Sequence, residues 1–294
     1  MFIQLLANGL VTGSVIALAA AGVSIVYGIL RLVNFAYGDY MTFGAFTAVY
    51  FNVTLDMPIV TAAILAMLAT ALLSVALEFA LWRPVRARNA GFMSLFLVSI
   101  GLALVLRHVI YLVAGPQPRT YTVDPYKVYV IGSARLSGAQ GIAIVVASIG
   151  IVVLGVLIAK TGVGRMMRAL ADDLPLAAVS GVRTGRVILA AWIVSGLLAG
   201  LAGVLAGLVQ TSFNPQLGFT LLLPIFAAVV LGGIGSVYGA LVGGLALGLA
   251  MELSTWPELG GGVNPTYKPV VAFAALIVVL LLRPQGLFGK ARVV

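Results

Sequence analysis

The feature that most constrains this chain is a series of apolar runs, most of them as long as a membrane-crossing helix. Such a helix needs about 20 apolar residues to cross the hydrocarbon core of a bilayer. Runs near this length occur at 3–29, 58–81, 92–114, 139–160, 187–211, 237–255 and 267–283, with shorter runs at 40–51 and 218–232. The pattern predicts an all-α, polytopic transmembrane helical bundle of eight or nine spans, with 1–294 forming a single domain.

The composition excludes a soluble protein. Of the 294 residues, 62% are hydrophobic and only 9% are charged, whereas about 25% of the residues in a soluble domain are charged. Lipid must therefore cover most of the surface. The net charge of +9 has no soluble basic domain to carry it, so membrane lipid is an expected partner and nucleic acid is not.

The distribution of basic residues predicts the orientation of the chain. If nine spans alternate, most of the 17 lysines and arginines fall on one side of the membrane. These are Arg31, Arg83, Arg86, Arg88, Lys160, Arg165, Arg168, Arg183, Arg186, Arg283, Lys290 and Arg292. Because cytoplasmic loops carry the excess of basic residues, we expect the N-terminus outside and the C-terminus in the cytoplasm.

The chain offers little for enzyme chemistry. It has no cysteine and a single histidine, His108, so no metal site built from these ligands is expected. No carboxylate pair and no Ser/His/Asp set falls at one predicted membrane depth, so we predict no catalytic residue. A P-loop is also absent, because GLFGK at 286–290 lacks the spacing and the final Ser or Thr. Any ATP that drives transport must therefore be bound by another subunit.

The loop 161–186 gathers charge in an otherwise apolar chain. Asp173 suits the N-cap of a short helix, Pro175 is tolerated in its first turn, and Gly181 suits its end. The sequence thus predicts a cytoplasmic helix of about two turns, preceded by another helical segment. The small residues that this helix would expose are Ala177 and Ala178. Two interpretations stay open: a solvated connector held inside by its arginines, or a helix that docks in a groove of another protein.

Ionisable residues within the spans are candidates for function, because charge is costly in lipid. Glu78 is expected near the inner interface, paired with an arginine, whereas Arg107 and His108 are expected to reach outward to the headgroups. Asp39 either caps a helix or takes part in gating. The central spans show no matched Arg–Asp pair, so we expect a solute without net charge that the path holds only weakly.

An N-x-x-x-G motif occurs once in each half of the chain, at 34–38 and at 214–218. Each motif follows a long helix rich in small residues, and in the expected topology the first faces inward and the second outward. This arrangement suits an inverted repeat, and transporters built from such repeats often place broken helices beside the path of the solute. The residues that these motifs and nearby glycines place on a path or gate are Asn34, Tyr37, Gly38, Asp39, Gln210, Asn214, Gly218, Gly232, Gly233 and Gly235.

Five segments carry a resemblance to a known family. They are VYGILRLVNFAYGDYMTFGAF (26–46), GVGRMMRALADDLPLAAVSGVRTGRVI (162–188), NPQLGF (214–219), VLGGIGSVYGALVGG (230–244) and LLLRPQGLFG (280–289). Together they resemble the permease subunits of ABC importers for branched-chain amino acids, the LivH-type family, over nearly the whole length. Members of this family serve leucine, isoleucine and valine, other neutral amino acids, or urea and short amides.

The resemblance implies a permease of the bacterial or archaeal plasma membrane that works with partner subunits. These are a second permease, either related or identical, two ATPase subunits that bind ATP and magnesium, and an extracytoplasmic solute-binding protein. This chain itself would bind no cofactor. The segment 165–181 would be the coupling helix seated in an ATPase, and its LAAVSG departs from the general EAA-type signature. The residues implied in this contact are Arg165, Arg168, Asp172, Asp173, Ala177, Ala178 and Gly181.

The function expected from residues and resemblance together is therefore that of a permease subunit of an ABC importer for a small uncharged or zwitterionic solute. The alternative is a self-contained secondary transporter or channel for a small polar solute. That alternative would need intramembrane acids to bind a coupling ion or relay a proton.

Overall fold

A computed structural model describes residues 2–122, 128–131, 134–257, 262–283 and 285–288. The helices are α1 (Phe2–Leu30), α2 (Tyr37–Val49), α3 (Ile59–Leu77), α4 (Arg83–Ala87), α5 (Phe92–Ala114), α6 (Gly138–Lys160), α7 (Gly162–Asp172), α8 (Leu174–Val179), α9 (Thr184–Gln210), α10 (Leu217–Gly232), α11 (Val237–Leu253) and α12 (Lys268–Leu282). Two strands, β1 (Val128–Ile131) and β2 (Ala134–Ser137), pair antiparallel between α5 and α6. Two π-helical turns, Tyr50–Thr54 and Glu78–Trp82, extend α2 and join α3 to α4.

Every apolar run of the sequence lies on a helix, so the prediction of a polytopic helical bundle is confirmed. Within the described ranges, six helical segments are long and apolar enough to cross a membrane: Phe2–Leu30, Ile59–Ala87, Phe92–Ala114, Gly138–Lys160, Thr184–Gln210 and Pro265–Leu282. Helices α10 and α11 are apolar but shorter. The number of spans and the orientation therefore stay predictions, and Lys290 and Arg292, used for the orientation, lie outside the described residues. The β1–β2 hairpin was not expected from the sequence.

Helix α1 forms the centre of the bundle, because it is apolar on all sides and almost entirely enclosed by its neighbours. It packs antiparallel against α11 through small residues: Gly9 lies beside Leu249, Gly13 beside Leu245, and Ala17 beside Gly244. In lipid, helix association depends on close packing rather than on a hydrophobic driving force, and small residues allow the backbones to approach. The abundance of glycine within the spans is explained largely by contacts of this kind.

The two halves of the chain repeat the same arrangement in opposite directions. Helix α1 ends at Leu30 and α2 begins at Tyr37, just as α9 ends at Gln210 and α10 begins at Leu217. As α1 packs on α11, α9 packs on α3. Helices α1 and α9 run antiparallel. Leu18 of α1 and Leu201 of α9 both lie beside Gly150 of α6. Further along α1, the Gly22 carbonyl accepts a hydrogen bond at 3.0 Å from Ser195 Oγ, which lies earlier in α9. The opposed directions are those of an inverted repeat.

Candidate functional site

The starts of α2 and α10 share one local structure. The side-chain oxygen of Asn34 accepts a hydrogen bond from the Ala36 amide at 3.1 Å, and that of Asn214 accepts one from the Gln216 amide at 3.0 Å. The backbone carbonyls of the same asparagines accept from the first residue of each helix. Each asparagine thus makes an Asx turn that starts a helix. The repeated N-x-x-x-G motif therefore encodes a repeated turn, whereas its place on a solute path stays a prediction.

These two helix starts meet inside the bundle, at a contact between Gly38 and Gly218 that we call the junction. A Cβ atom built on Gly218 would overlap the carbonyl oxygen of Gly38, and one built on Gly38 would overlap the Gly218 carbonyl. The hydroxyl of Thr42 donates to the Gly38 carbonyl at 3.2 Å and accepts from the Gly218 amide at 2.9 Å. Glycine is needed at both positions because the two backbones leave no room for a side chain.

A charged pair lies beside this junction and corrects three expectations. Arg107 of α5 donates from Nε to Asp39 Oδ1 at 3.0 Å and from Nη2 to Oδ2 at 3.2 Å. The expectation that Arg107 reaches outward to the headgroups is therefore wrong. Asp39 does not cap α2, because it lies in the first turn and the N-cap residue is Ala36. The expected absence of a matched Arg–Asp pair is also wrong, since the partners are 68 residues apart in sequence and meet only through helix packing.

The guanidinium of Arg107 also covers an aromatic ring. Its Cζ atom lies 4.0 Å from the centroid of Phe219, a distance at which cation–π attraction is effective. Phe219 follows Gly218 directly, as Asp39 follows Gly38, so the repeat places a carboxylate and a ring at equivalent points. Phe219 and Leu223, one helical turn apart, are each 46% exposed on the outer face of α10.

Electrostatically, the junction carries positive character. The charges of Asp39 and Arg107 cancel, but the N-terminus of each helix contributes roughly +0.5 of an elementary charge. Both α2 and α10 point such an end at the junction. The structure therefore brings together Gly38, Asp39 and Gly218 with three residues that were not predicted to lie on a path: Thr42, Arg107 and Phe219. The repeated N-x-x-x-G motif was the one sequence signal that pointed to Phe219, as the residue after its second copy.

The other residues assigned to a path take no part in the contact between Gly38 and Gly218. The Tyr37 side chain is enclosed, and its hydroxyl donates to the Ser195 carbonyl at 3.4 Å. Gln210 is exposed at the end of α9. The remaining three form the turn after α10, about 20 Å along that helix from the junction, and two of them have positive φ angles. They are Gly232, Gly233 (φ 103°) and Gly235 (φ 86°).

Two carboxylates near helix ends, Glu78 and Glu252, form ion pairs. Glu78 forms an ion pair with Arg86, so the expected arginine partner is confirmed. Glu252 near the end of α11 binds Lys268 Nζ at 2.7 Å, and Thr12 donates to the same carboxylate oxygen at 3.4 Å. In each pair the basic side chain compensates the charge of a carboxylate that is largely buried.

The charged segment 161–186 forms two helices, as expected. Asp173 caps α8 by accepting the Leu176 amide at 2.8 Å, and Gly181 ends the turn with a φ of 84°. Helix α7 begins at an N-cap threonine, Thr161, whose hydroxyl accepts the Gly164 amide. The segment is tied to the bundle because Arg168 donates to the carbonyl of Ile158.

The exposed face of α8 differs from the expected one. Ala177 is only 6% exposed because it faces the body of the protein, so the expectation that it is exposed is wrong; Ala178 is exposed. The large apolar side chains on the outer face are Leu176, 65% exposed, and Val179, 87% exposed. Ala177 is the one buried residue among the six of this helix.

Two clefts flank α8 on this side of the molecule. One, of about 510 Å³, lies between α7 and α9 and includes Met166, Arg183 and Arg186. The other, of about 620 Å³, includes Arg31 and Arg86 together with the α7–α8 connection. Asp172 and Asp173 line the second cleft, whereas Arg165 lies on α7 outside the lining of both. Among the described residues, no group of His, Cys, Asp and Glu has the proximity needed to hold a metal ion.

Comparisons with known proteins show which family this chain resembles. The chain matches the family described as "Branched-chain amino acid transport system / permease component" over residues 5–280. It is 33% identical to the high-affinity branched-chain amino acid transport system permease protein LivH of Escherichia coli K12, covering 99% of this chain and 97% of that protein. It is 32% identical to the corresponding permease protein BraD of Pseudomonas aeruginosa, with the same coverage.

A solved structure shares the fold. The chain aligns with PsaBC from Streptococcus pneumoniae in complex with Fab at a TM-score of 0.51 and 13% identity, covering 98% of this chain and 94% of that one. At this identity the similarity concerns the fold alone.

Proposed function

Because this chain belongs to the family of permease components of branched-chain amino acid transport systems, we propose that it forms part of the membrane path of an ATP-driven importer for neutral amino acids, with branched-chain amino acids as its main substrates. It is a multi-pass protein of the plasma membrane, and its relatives are transport permeases rather than enzymes. The proposed partners are a second permease, two ATPase subunits and an extracytoplasmic solute-binding protein. ATP and magnesium would bind to the ATPases.

The structure of helix α8 is the observation that best supports an ATP-driven mechanism. It is capped by Asp173, held to the bundle by Ala177 and exposes Leu176 and Val179. Exposed apolar residues on a short, fixed helix suit a groove of another protein better than they suit water. On this proposal, α8 transmits the movement of an ATPase to the bundle, and the two clefts beside it receive the rim of that groove.

The junction of α2 and α10 is the proposed point where the path passes. Charge is costly against lipid, yet Arg107 lies close to an outer face of the chain, beside the exposed Phe219 and Leu223. A wet path between this chain and its partner permease would solvate that face. The exposed part of α10 would then line the path, while the buried Asp39 holds the arginine in position.

The test is reconstitution of the complete complex in proteoliposomes, with binding protein and labelled leucine outside and ATP inside. We expect uptake that requires ATP, the binding protein and both kinds of partner subunit. A complex whose ATPases cannot hydrolyse ATP is the control. Leucine uptake by this chain alone, driven by an ion gradient, would contradict the proposal and favour the secondary transporter. A complex that imports only urea or an amide would contradict the choice of substrate.

A further inference from the structure

The ion pair at the junction leaves part of Arg107 unused. Its Nε and Nη2 atoms are bound to the two oxygens of Asp39, and its plane covers the ring of Phe219. In the described part of the chain, Nη1 donates to no oxygen. Nη1 is thus a charged donor that the pair with Asp39 orients but does not occupy.

The surroundings of this donor favour an anion. The Arg107 side chain is 12% exposed, whereas that of Asp39 is 1% exposed, so the arginine is the accessible member of the pair. The two helix starts add positive potential at the same place. An arginine in this setting suits a carboxylate, because guanidinium N–H groups match its geometry and the charge strengthens each hydrogen bond.

An apolar surface adjoins the donor. Phe219 and Leu223 lie on the same exposed stripe of α10, with the ring of Phe219 directly under the guanidinium. A molecule whose carboxylate reached Nη1 would therefore place its remaining atoms over apolar side chains. Urea has no carboxylate for this position, and a strongly polar side chain would gain nothing from the stripe.

We propose that Arg107, held by Asp39, binds the carboxylate of a passing zwitterionic amino acid while Phe219 and Leu223 contact its apolar side chain. The site selects for a free carboxylate together with an apolar side chain, and the solute's ammonium group faces the wet path. This inference rests on the proposed function, since it assigns a recognition step to the same path. Asp39 has two effects in it: it positions the guanidinium and it competes with the solute carboxylate for the positive charge.

This competition predicts that substitutions of Arg107 and of Asp39 change the affinity for leucine in opposite directions. In the Arg107→Gln complex, the solute carboxylate loses its charged partner, so leucine should bind roughly tenfold more weakly or worse. In the Asp39→Asn complex, the arginine keeps its charge but loses its competitor, so leucine should bind roughly tenfold more tightly. A pair with a purely structural role would shift leucine binding in the same direction, or not at all, in both variants.

The experiment is saturation-transfer NMR on the assembled complex in nanodiscs, without binding protein, titrated with leucine and with leucinol. Leucinol lacks the carboxylate but keeps the ammonium group, so it should bind weakly to the wild-type complex and should not gain affinity in Asp39→Asn, where the arginine has lost its negative partner. Glu252→Gln and Lys268→Gln are matched controls, because they break a similar ion pair between α11 and α12 that shares no partner with the Asp39–Arg107 pair. Co-purification of the ATPases verifies that each variant assembles.

Weaker or unchanged leucine binding in Asp39→Asn would overturn the inference, as would equal binding of leucine and leucinol by the wild-type complex. If Asp39→Asn does not assemble, the comparison of Arg107→Lys with Arg107→Gln decides: only the lysine variant should still prefer leucine to leucinol. The two proposals fail separately. Absence of leucine uptake by the wild-type complex contradicts the proposed function, whereas normal uptake with unchanged discrimination in Arg107→Gln contradicts this inference alone.

Discussion

Gly38 and Gly218 meet backbone to backbone where α2 and α10 begin, and neither position has room for a Cβ atom. The contact fixes the distance between the two helix starts and thereby the place of Asp39, Arg107 and Phe219. It also links the two halves of the repeat at their equivalent residues. The packing of the bundle and the geometry of the proposed site therefore depend on the same pair of glycines.

The first prediction concerns this contact. Gly218→Ala should lower the stability of the complex by about 1–3 kcal/mol or more, because the added methyl group overlaps a backbone carbonyl that cannot move aside. The measurement is the thermal unfolding midpoint of the purified complex. Gly101→Ala in α5 is the control, since a Cβ there meets no atom within 4 Å. Equal midpoints for the two variants would contradict the close approach.

The second prediction concerns the outer face of α8. Val179→Asp should reduce the amount of ATPase that co-purifies with the chain, because it places a charge in the proposed apolar contact. Leu55→Asp makes the same kind of change at an exposed apolar residue at the far end of the bundle and should retain the ATPase. Normal ATPase retention by Val179→Asp would argue for a solvated connector instead.

The third prediction separates the role of Asp173 as the N-cap of α8 from the role of its negative charge. Asp173→Ala removes the acceptor for the Leu176 amide, a loss typically worth about 1 kcal/mol. Asp173→Asn keeps a capping oxygen without the negative charge. We expect the binding protein to stimulate ATP hydrolysis less in the alanine variant and normally in the asparagine variant. Equal loss in both variants would show that the charge of Asp173, rather than the helix cap, matters for coupling.

The fourth prediction tests the orientation of the chain, which has no natural cysteine to interfere. Cysteines at Arg88 and Gly185 should react only with reagents that reach the cytoplasm. Cysteines at Leu55 and Thr266 should react from outside. Labelling of Gly185→Cys from outside would contradict both the orientation and the coupling role of α8.

The sequence predicted those features that depend on neighbouring residues. The spans follow from the length of apolar runs, and the cap of α8 follows from Asp173, Pro175 and Gly181 because capping is a local interaction. The turns at Asn34 and Asn214 could be matched for the same reason. Each of these features needs only a few consecutive residues to form.

The features that escaped prediction depend on packing between distant helices. The partners Asp39 and Arg107 are 68 residues apart, and nothing in either segment signals the other. Ala177 and Ala178 are adjacent, and only the rotation of α8 against the bundle decides which one is buried. Hydropathy cannot supply that rotation, because all six residues of α8, LPLAAV, are apolar.

The most direct test of the central claim, that the path passes the junction of α2 and α10, is the reactivity of a single cysteine at Thr220, on the exposed face of α10. A water-soluble, membrane-impermeant thiol reagent should modify Thr220→Cys in the assembled complex, at a rate that changes between nucleotide-bound and nucleotide-free states. Leu112→Cys, at a site that is 85% exposed on α5, provides the lipid-facing comparison and should not react. If Thr220→Cys is as unreactive as Leu112→Cys in both states, that face of α10 lies against lipid or protein and the path runs elsewhere.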